Sequence, residues 1–155
     1  MTFINFKNWC SSLTQVSIWT IGHSNRTIES FINLLREHKI RVLADVRRFP
    51  TSKVEHFKRE QMERWLPETG INYIWLGETL GGYRHGGYKA YVKTDLFKRG
   101  IDELLNLAKN QRVCICCMEK EPQHCHRQLI SRHLEKLGVK VVHILEEGRV
   151  NRFSR

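Results

Sequence analysis

One stretch of the chain concentrates reactive side chains: Cys117-Met118-Glu119-Lys120-Glu121-Pro122-Gln123-His124-Cys125-His126-Arg127. Three chemistries fit it. Glu119 can act as an acid or base beside an anion pocket made by Arg127 and a helix start. Cys117 or Cys125 can act as a nucleophile or redox thiol, because free N–H groups and the dipole at a helix start lower a thiol's pKa. Cys117, Cys125 and a histidine can bind zinc, but their spacing is not that of a CxxC ligand pair, so no metal or other cofactor is expected.

Polar groups recur at other places where apolar runs end. Gly22–Arg26 brings His23, Ser24 and Arg26; Asp45–Pro50 brings Asp45, Arg47 and Arg48. Leu80 is followed by Gly81 and Gly82, then by Arg84 and by Tyr83, Tyr88 and Tyr91 among further glycines. Arginine forks suit phosphate or carboxylate, a glycine pair lets backbone approach an anion, and tyrosines stack on bases or form a lid. Each has a structural alternative. Ser24 or His23 can cap a helix, Asp45 can pair with Arg47 or Arg26, and the glycines can form an ordinary turn. Cys114 and Cys116 lie inside an apolar run and read as core.

These residues need a scaffold that gathers them. Apolar runs at Ser17–Ile21, Arg41–Asp45, Asn72–Leu76, Arg112–Met118 and Val139–Leu145 predict five strands. Between them, Thr27 and Thr94 head amphipathic stretches, Arg59–Leu66 predicts a short helix, and a helix runs from Cys125 to Leu137, stopped by Gly138. Residues 77–91 read as a glycine-rich loop. The expected fold is α/β: a three-layer, Rossmann-like sandwich with a mostly parallel five-stranded sheet and helices on both faces. Residues 1–16 read as a leader, 17–148 as one domain and 149–155 as a polar, frayed tail. In such sheets ligands bind beyond the carboxyl ends of the strands.

Composition narrows the setting. The chain has 155 residues, 41% hydrophobic and 27% charged, with a formal charge of +10. That excess favours nucleic acid or a nucleotide as partner. No apolar stretch suits a membrane span and the start lacks the pattern of a signal peptide, so a cytoplasmic protein is expected. Five cysteines, an odd number with three clustered, suit reduced thiols rather than a disulfide framework.

The ordered set Thr20-Ile21-Gly22-His23-Ser24-x-Arg26, Asp45-Val46-Arg47-x-x-Pro50-x-Ser52, Leu80-Gly81-Gly82, Cys117-x-Glu119-x-x-Pro122-x-x-Cys125-His126-Arg127 and Val142-His143-Ile144-Leu145 resembles the family catalogued as domain of unknown function 488. The resemblance spans residues 17–148 and implies a compact α/β domain, without supplying a reaction. From the residues themselves, the leading expectation is an enzyme acting on nucleic acid or a nucleotide. Asp45 and Glu119 would handle protons or stabilise a cationic transition state, with His23 and His126 assisting, and Arg26, Arg47, Arg48 and Arg127 would hold phosphate. The reaction would be hydrolysis of a base–sugar bond, as in repair, or of a phosphoester. The alternatives are a DNA- or RNA-binding protein without catalysis, and an enzyme working through Cys117 or Cys125.

Overall fold

The computed structural model describes residues 16–146 and 148–151. Apolar segments of four to seven residues form strands β1 (Ser17–Gly22), β2 (Val42–Asp45), β3 (Asn72–Trp75), β4 (Val113–Cys117) and β5 (Lys140–Glu146). All five are parallel, in the order β3-β2-β4-β1-β5. A sixth strand, β6 (Arg149–Asn151), pairs antiparallel with β5. The frayed tail expected from polarity is therefore ordered over 149–151. Gly148, at φ 72°, turns the chain back, and the free edge of β5 supplies backbone partners whatever the side chains are. The leader up to residue 15 and residues 152–155 lie outside the described residues.

The helices follow in chain order. The first is α1 (Ile28–Glu37), then α2 (Arg59–Glu68), two single turns α3 (Gly77–Leu80) and α4 (Tyr88–Tyr91), α5 (Asp95–Ala108) and α6 (Arg127–Lys136). Thr27 and Thr94 cap α1 and α5 as their positions predict: their hydroxyls accept the N–H groups of Ser30 at 3.1 Å and Phe97 at 3.3 Å. The two single turns lie in what reads as an open loop. At the start of α6 the structure departs from expectation by two residues. Cys125 is extended and His126 takes the N-cap position.

Strand alternation splits the core into two layers. Ile18, Ala44 and Ile115 face Phe97, Leu104 and Ile130 on one side. Ile21, Leu43, Cys114 and Cys116 face Phe31, Leu35 and Leu66 on the other. Chains leaving β1 and β2 run to α1 and α2 on one face, while the chain leaving β4 runs to α6 on the opposite face. β4 lies between β1 and β2, so the connections part at its carboxyl end and open a crevice there. No helix is long and apolar enough to cross a membrane among the described residues.

Candidate active site

The crevice is a cleft of about 310 Å³. Loops after three strands line it: Arg47, Phe49 and Thr51 after β2, Gly82, Tyr83 and Tyr88 after β3, and residues from Cys117 to His126 after β4. The ends of β1 and β5 do not reach it. A more open hollow of about 770 Å³ at the opposite rim, around Trp19, Arg41 and Arg112, contains none of the expected site residues.

The centre of the cleft is sulfur and imidazole. Cys117 ends β4, and a 3-10 turn over Pro122–His124 folds the chain back so that Cys125 meets it. The two sulfurs meet there, placed to pair as a disulfide, whereas Cys114 and Cys116 are free and buried. The turn thus brings together two cysteines that the spacing leaves apart. His126 Nε2 donates to the Val46 carbonyl at 2.9 Å, so the proton sits on Nε2 and the Nδ1 lone pair is free to accept. That Nδ1 lies 3.7 Å from Cys125 Sγ. The backbone N–H of Arg127 donates to the same sulfur at 3.4 Å. Burial lowers the His126 pKa, which keeps the ring neutral and able to take a proton. Gly82 permits this arrangement: a Cβ there would stand 3.2 Å from His126 Nδ1.

Asp45 is placed differently from its expected role. It is fully buried, and Arg47 donates to it through Nε at 2.8 Å, Nη2 at 2.7 Å and its backbone N–H at 3.1 Å. The Tyr73 hydroxyl donates to the second oxygen. Burial and the neighbouring carboxylate push the Tyr73 phenol well up. The remaining Arg47 donors go to the carbonyls of Phe57 at 2.8 Å and Thr51 at 3.4 Å, to His23 Nε2 at 3.3 Å and to the Met62 sulfur at 3.5 Å. His23 in turn donates from Nδ1 to the Ser24 carbonyl at 2.9 Å, and burial lowers its pKa to about 4. Asp45, Arg47, His23 and Tyr73 therefore form a closed polar knot beneath the cleft, with no free carboxylate or imidazole edge to offer a substrate.

The other expected phosphate ligands serve the main chain. Arg26 donates to the carbonyls of Gly22 at 3.1 Å and Leu145 at 2.5 Å, tying the ends of β1 and β5. Arg48 donates to the Tyr83 carbonyl at 2.5 Å. Arg84 donates to Gly77, Glu78 and Gly81, bracing α3. Arg127 is fully buried and donates to the carbonyls of Glu119 at 2.9 Å and Lys120 at 3.1 Å. Its Nε and Nη1 have no hydrogen-bond partner among the described residues, and burial lowers its pKa to about 10. The physical reason is common to Arg26, Arg84 and Arg127. Ends of parallel strands and single helical turns leave carbonyls without ladder partners, and a guanidinium satisfies several at once.

Gly81 likewise serves close packing, since a Cβ there would fall 2.6 Å from Arg48 Cα. Ser24 sits at φ 48° with its N–H on the Met118 carbonyl, away from the cleft, and Thr27 takes the capping role instead. Glu119 is the carboxylate that lines the cleft. Tyr88 lines it too, its hydroxyl on the Leu80 carbonyl at 2.7 Å and its ring 5.1 Å from His126. The residues that sequence reasoning missed are Phe49 and Met118, exposed by 61% and 51% at the mouth. The available signal was an apolar side chain standing alone among polar neighbours just past a strand end. Among the described residues no group of three or more His, Cys, Asp or Glu side chains is placed to hold a metal ion.

Fold and site together define a doubly wound α/β domain with a cysteine–histidine cleft at its switch point. The chain belongs to the family described as Domain of unknown function DUF488, whose model matches residues 27–134. The β1 motif up to Arg26 and the β5 motif from Val142 lie outside that span. Neither the curated proteins nor the solved structures searched gave a match.

Proposed function

We propose that the protein is a thiol-dependent enzyme in which Cys125 is the nucleophile, His126 its base and Cys117 the second thiol of the cycle. The observation that carries this reading is the surroundings of Cys125 Sγ. It has an unprotonated imidazole nitrogen at 3.7 Å, a main-chain N–H at 3.4 Å and a second cysteine sulfur against it, in the wall of a cleft. A nucleophile, a base beside it and a third group orienting the base are the parts that covalent catalysis needs. The Val46 carbonyl is the orienting group.

In the reduced protein His126 Nδ1 takes the Cys125 proton. The thiolate attacks one sulfur of a disulfide substrate, forming a mixed disulfide, and the departing thiolate takes the proton from His126. Cys117 then attacks the Cys125 sulfur and releases the second half of the substrate as a thiol. The substrate disulfide has been reduced and the protein pair oxidised, and a low-molecular-mass thiol returns the pair to its starting state. Base–sugar hydrolysis through Asp45 does not fit, because that carboxylate is enclosed and already accepts four hydrogen bonds.

The test uses protein with Cys10→Ser, so that reactivity is read at the cleft. With an aromatic disulfide reagent, the reduced protein releases both halves of the reagent and ends with its internal disulfide. Cys117→Ser stops at a stable mixed disulfide on Cys125, seen by mass. Cys125→Ser reacting as fast as the parent overturns the assignment.

A further inference from the structure

We infer that the cleft receives a nucleotide unit, with its base against Phe49 and Tyr83 and its phosphate in an adjoining basic hollow. This goes beyond the thiol reading by giving the same cleft a ligand besides the disulfide, and rests on that cleft being the working site.

Two independent features of the surface lead there. The first is an aromatic jaw. Among the described residues five large hydrophobic side chains are exposed, and three of them, Phe49, Tyr83 and Met118, stand at this one mouth. Tyr83 is 82% exposed and holds φ at 58°, a backbone conformation that side chains other than glycine rarely adopt. The Arg48 guanidinium keeps it there through the Tyr83 carbonyl, and also lies over the Phe49 ring at 5.4 Å. The rings of Phe49 and Tyr83 are 5.9 Å apart and tilted by 40°, open toward solvent. A fold that holds a strained backbone in order to show a ring to water is presenting a stacking surface, and flat heteroaromatic bases are its natural complement.

The second feature is charge. A hollow of about 450 Å³ shares Tyr88, His124, Cys125 and His126 with the cleft and adds Lys89 and Arg132 on its far side. Both cations are exposed, and neither belongs to an ion pair among the described residues. They differ in this from Arg26, Arg48 and Arg84, which donate to carbonyls, and from Arg127, which is fully buried. A ring surface on one side of Cys125 and free cations on the other match a ligand that is planar at one end and anionic at the other. The formal charge of +10 on the chain favours such a ligand over a neutral aromatic.

Binding of oligothymidylate, thymidine monophosphate, thymidine and a DNA duplex, followed by calorimetry at two salt concentrations, tests the inference. The single strand should bind, and its affinity should fall as salt rises. The monophosphate binding more tightly than thymidine identifies a free nucleotide as sufficient. Binding of the strand alone identifies the polymer as the source of the unit. Phe49→Ala or Tyr83→Ala should weaken binding about tenfold, and Lys89→Ala with Arg132→Ala should flatten the salt dependence. Circular dichroism of each variant checks its fold. No binding of any probe overturns the inference, as does duplex binding as tight as the strand's and unchanged in the ring variants. Loss of nucleotide binding with Cys125 of the parent protein still reactive would sink this inference alone. Binding with an inert Cys125 would sink the thiol reading alone.

Discussion

Asp45→Asn keeps the shape of the side chain and removes its charge, and the expected consequence is loss of stability. In the native protein the carboxylate accepts two side-chain donors and one backbone donor from Arg47 at 2.7–3.1 Å, and a fourth from Tyr73. Arg47 is itself 6% exposed. Burial opposes its charge, and the Asp45 hydrogen bonds and charge more than offset this, raising its pKa. The amide of asparagine can accept through only one oxygen and presents N–H donors where Arg47 also donates. The guanidinium is then a buried charge without its partner, a situation that costs about 3–5 kcal/mol. A domain holds only about 5–15 kcal/mol in all. With a urea slope of about 2 kcal/mol per molar for a chain this size, the unfolding midpoint should fall by about 2 M. Urea titration followed by tryptophan fluorescence reads that shift directly, since Trp75 donates to the Arg47 carbonyl at 2.8 Å. Asp45→Leu combined with Arg47→Met removes both charges and should recover much of the loss. Asp45→Asn that unfolds at the parent's urea concentration, yet has lost its reaction with substrate, would show that the carboxylate does chemistry and that the structural assignment is wrong.

Other consequences follow from the same contacts. Burial lowers the pKa of both His23 and His143 from 6.5 to about 4. Between those values the unfolded chain binds protons that the folded chain refuses, so stability rises with pH across that window. It should fall by about 3 kcal/mol per histidine on acidification from 6.5 to 4, and urea midpoints measured through the range would show no slope if the rings were already charged in the fold. Gly22→Ala should destabilise by about 1–3 kcal/mol or more, because its Cβ would lie 1.8 Å from the Glu119 carbonyl oxygen, wedging the β1 end from the loop after β4. An unchanged melting temperature would mean that loop yields freely. Thr94→Ala should cost about 1 kcal/mol, as it removes the hydroxyl that caps α5, and a loss near zero by urea titration would contradict the cap.

Much of this architecture is legible in the chain. Short continuous apolar runs such as Arg112–Met118, alternating with amphipathic stretches, read as strands covered on both faces, and Thr27, Thr94 and Gly138 mark helix ends by local chemistry alone. The rim that carries the site follows from the same alternation. What the sequence conceals is partnership. An arginine beside a strand end reads as a phosphate ligand, and nothing local reveals that Arg26, Arg84 and Arg127 face unpaired carbonyls. Asp45 likewise looks available until its neighbours are placed around it. The sulfur pair depends on a single 3-10 turn over Pro122–His124, a feature too short for periodicity to show. The sixth strand depends on a free edge, and no property of residues 149–151 themselves announces it.

The central claim is that His126 activates Cys125. With Cys10→Ser throughout and the cleft disulfide reduced, the rate of Cys125 alkylation by iodoacetamide at neutral pH, read by peptide mass, tests it most directly. Cys125 should label readily in the parent and at least about tenfold more slowly in His126→Asn, with buried Cys114 and Cys116 silent in both. Equal rates in the two proteins, or a Cys125 as unreactive as those core thiols, would contradict it.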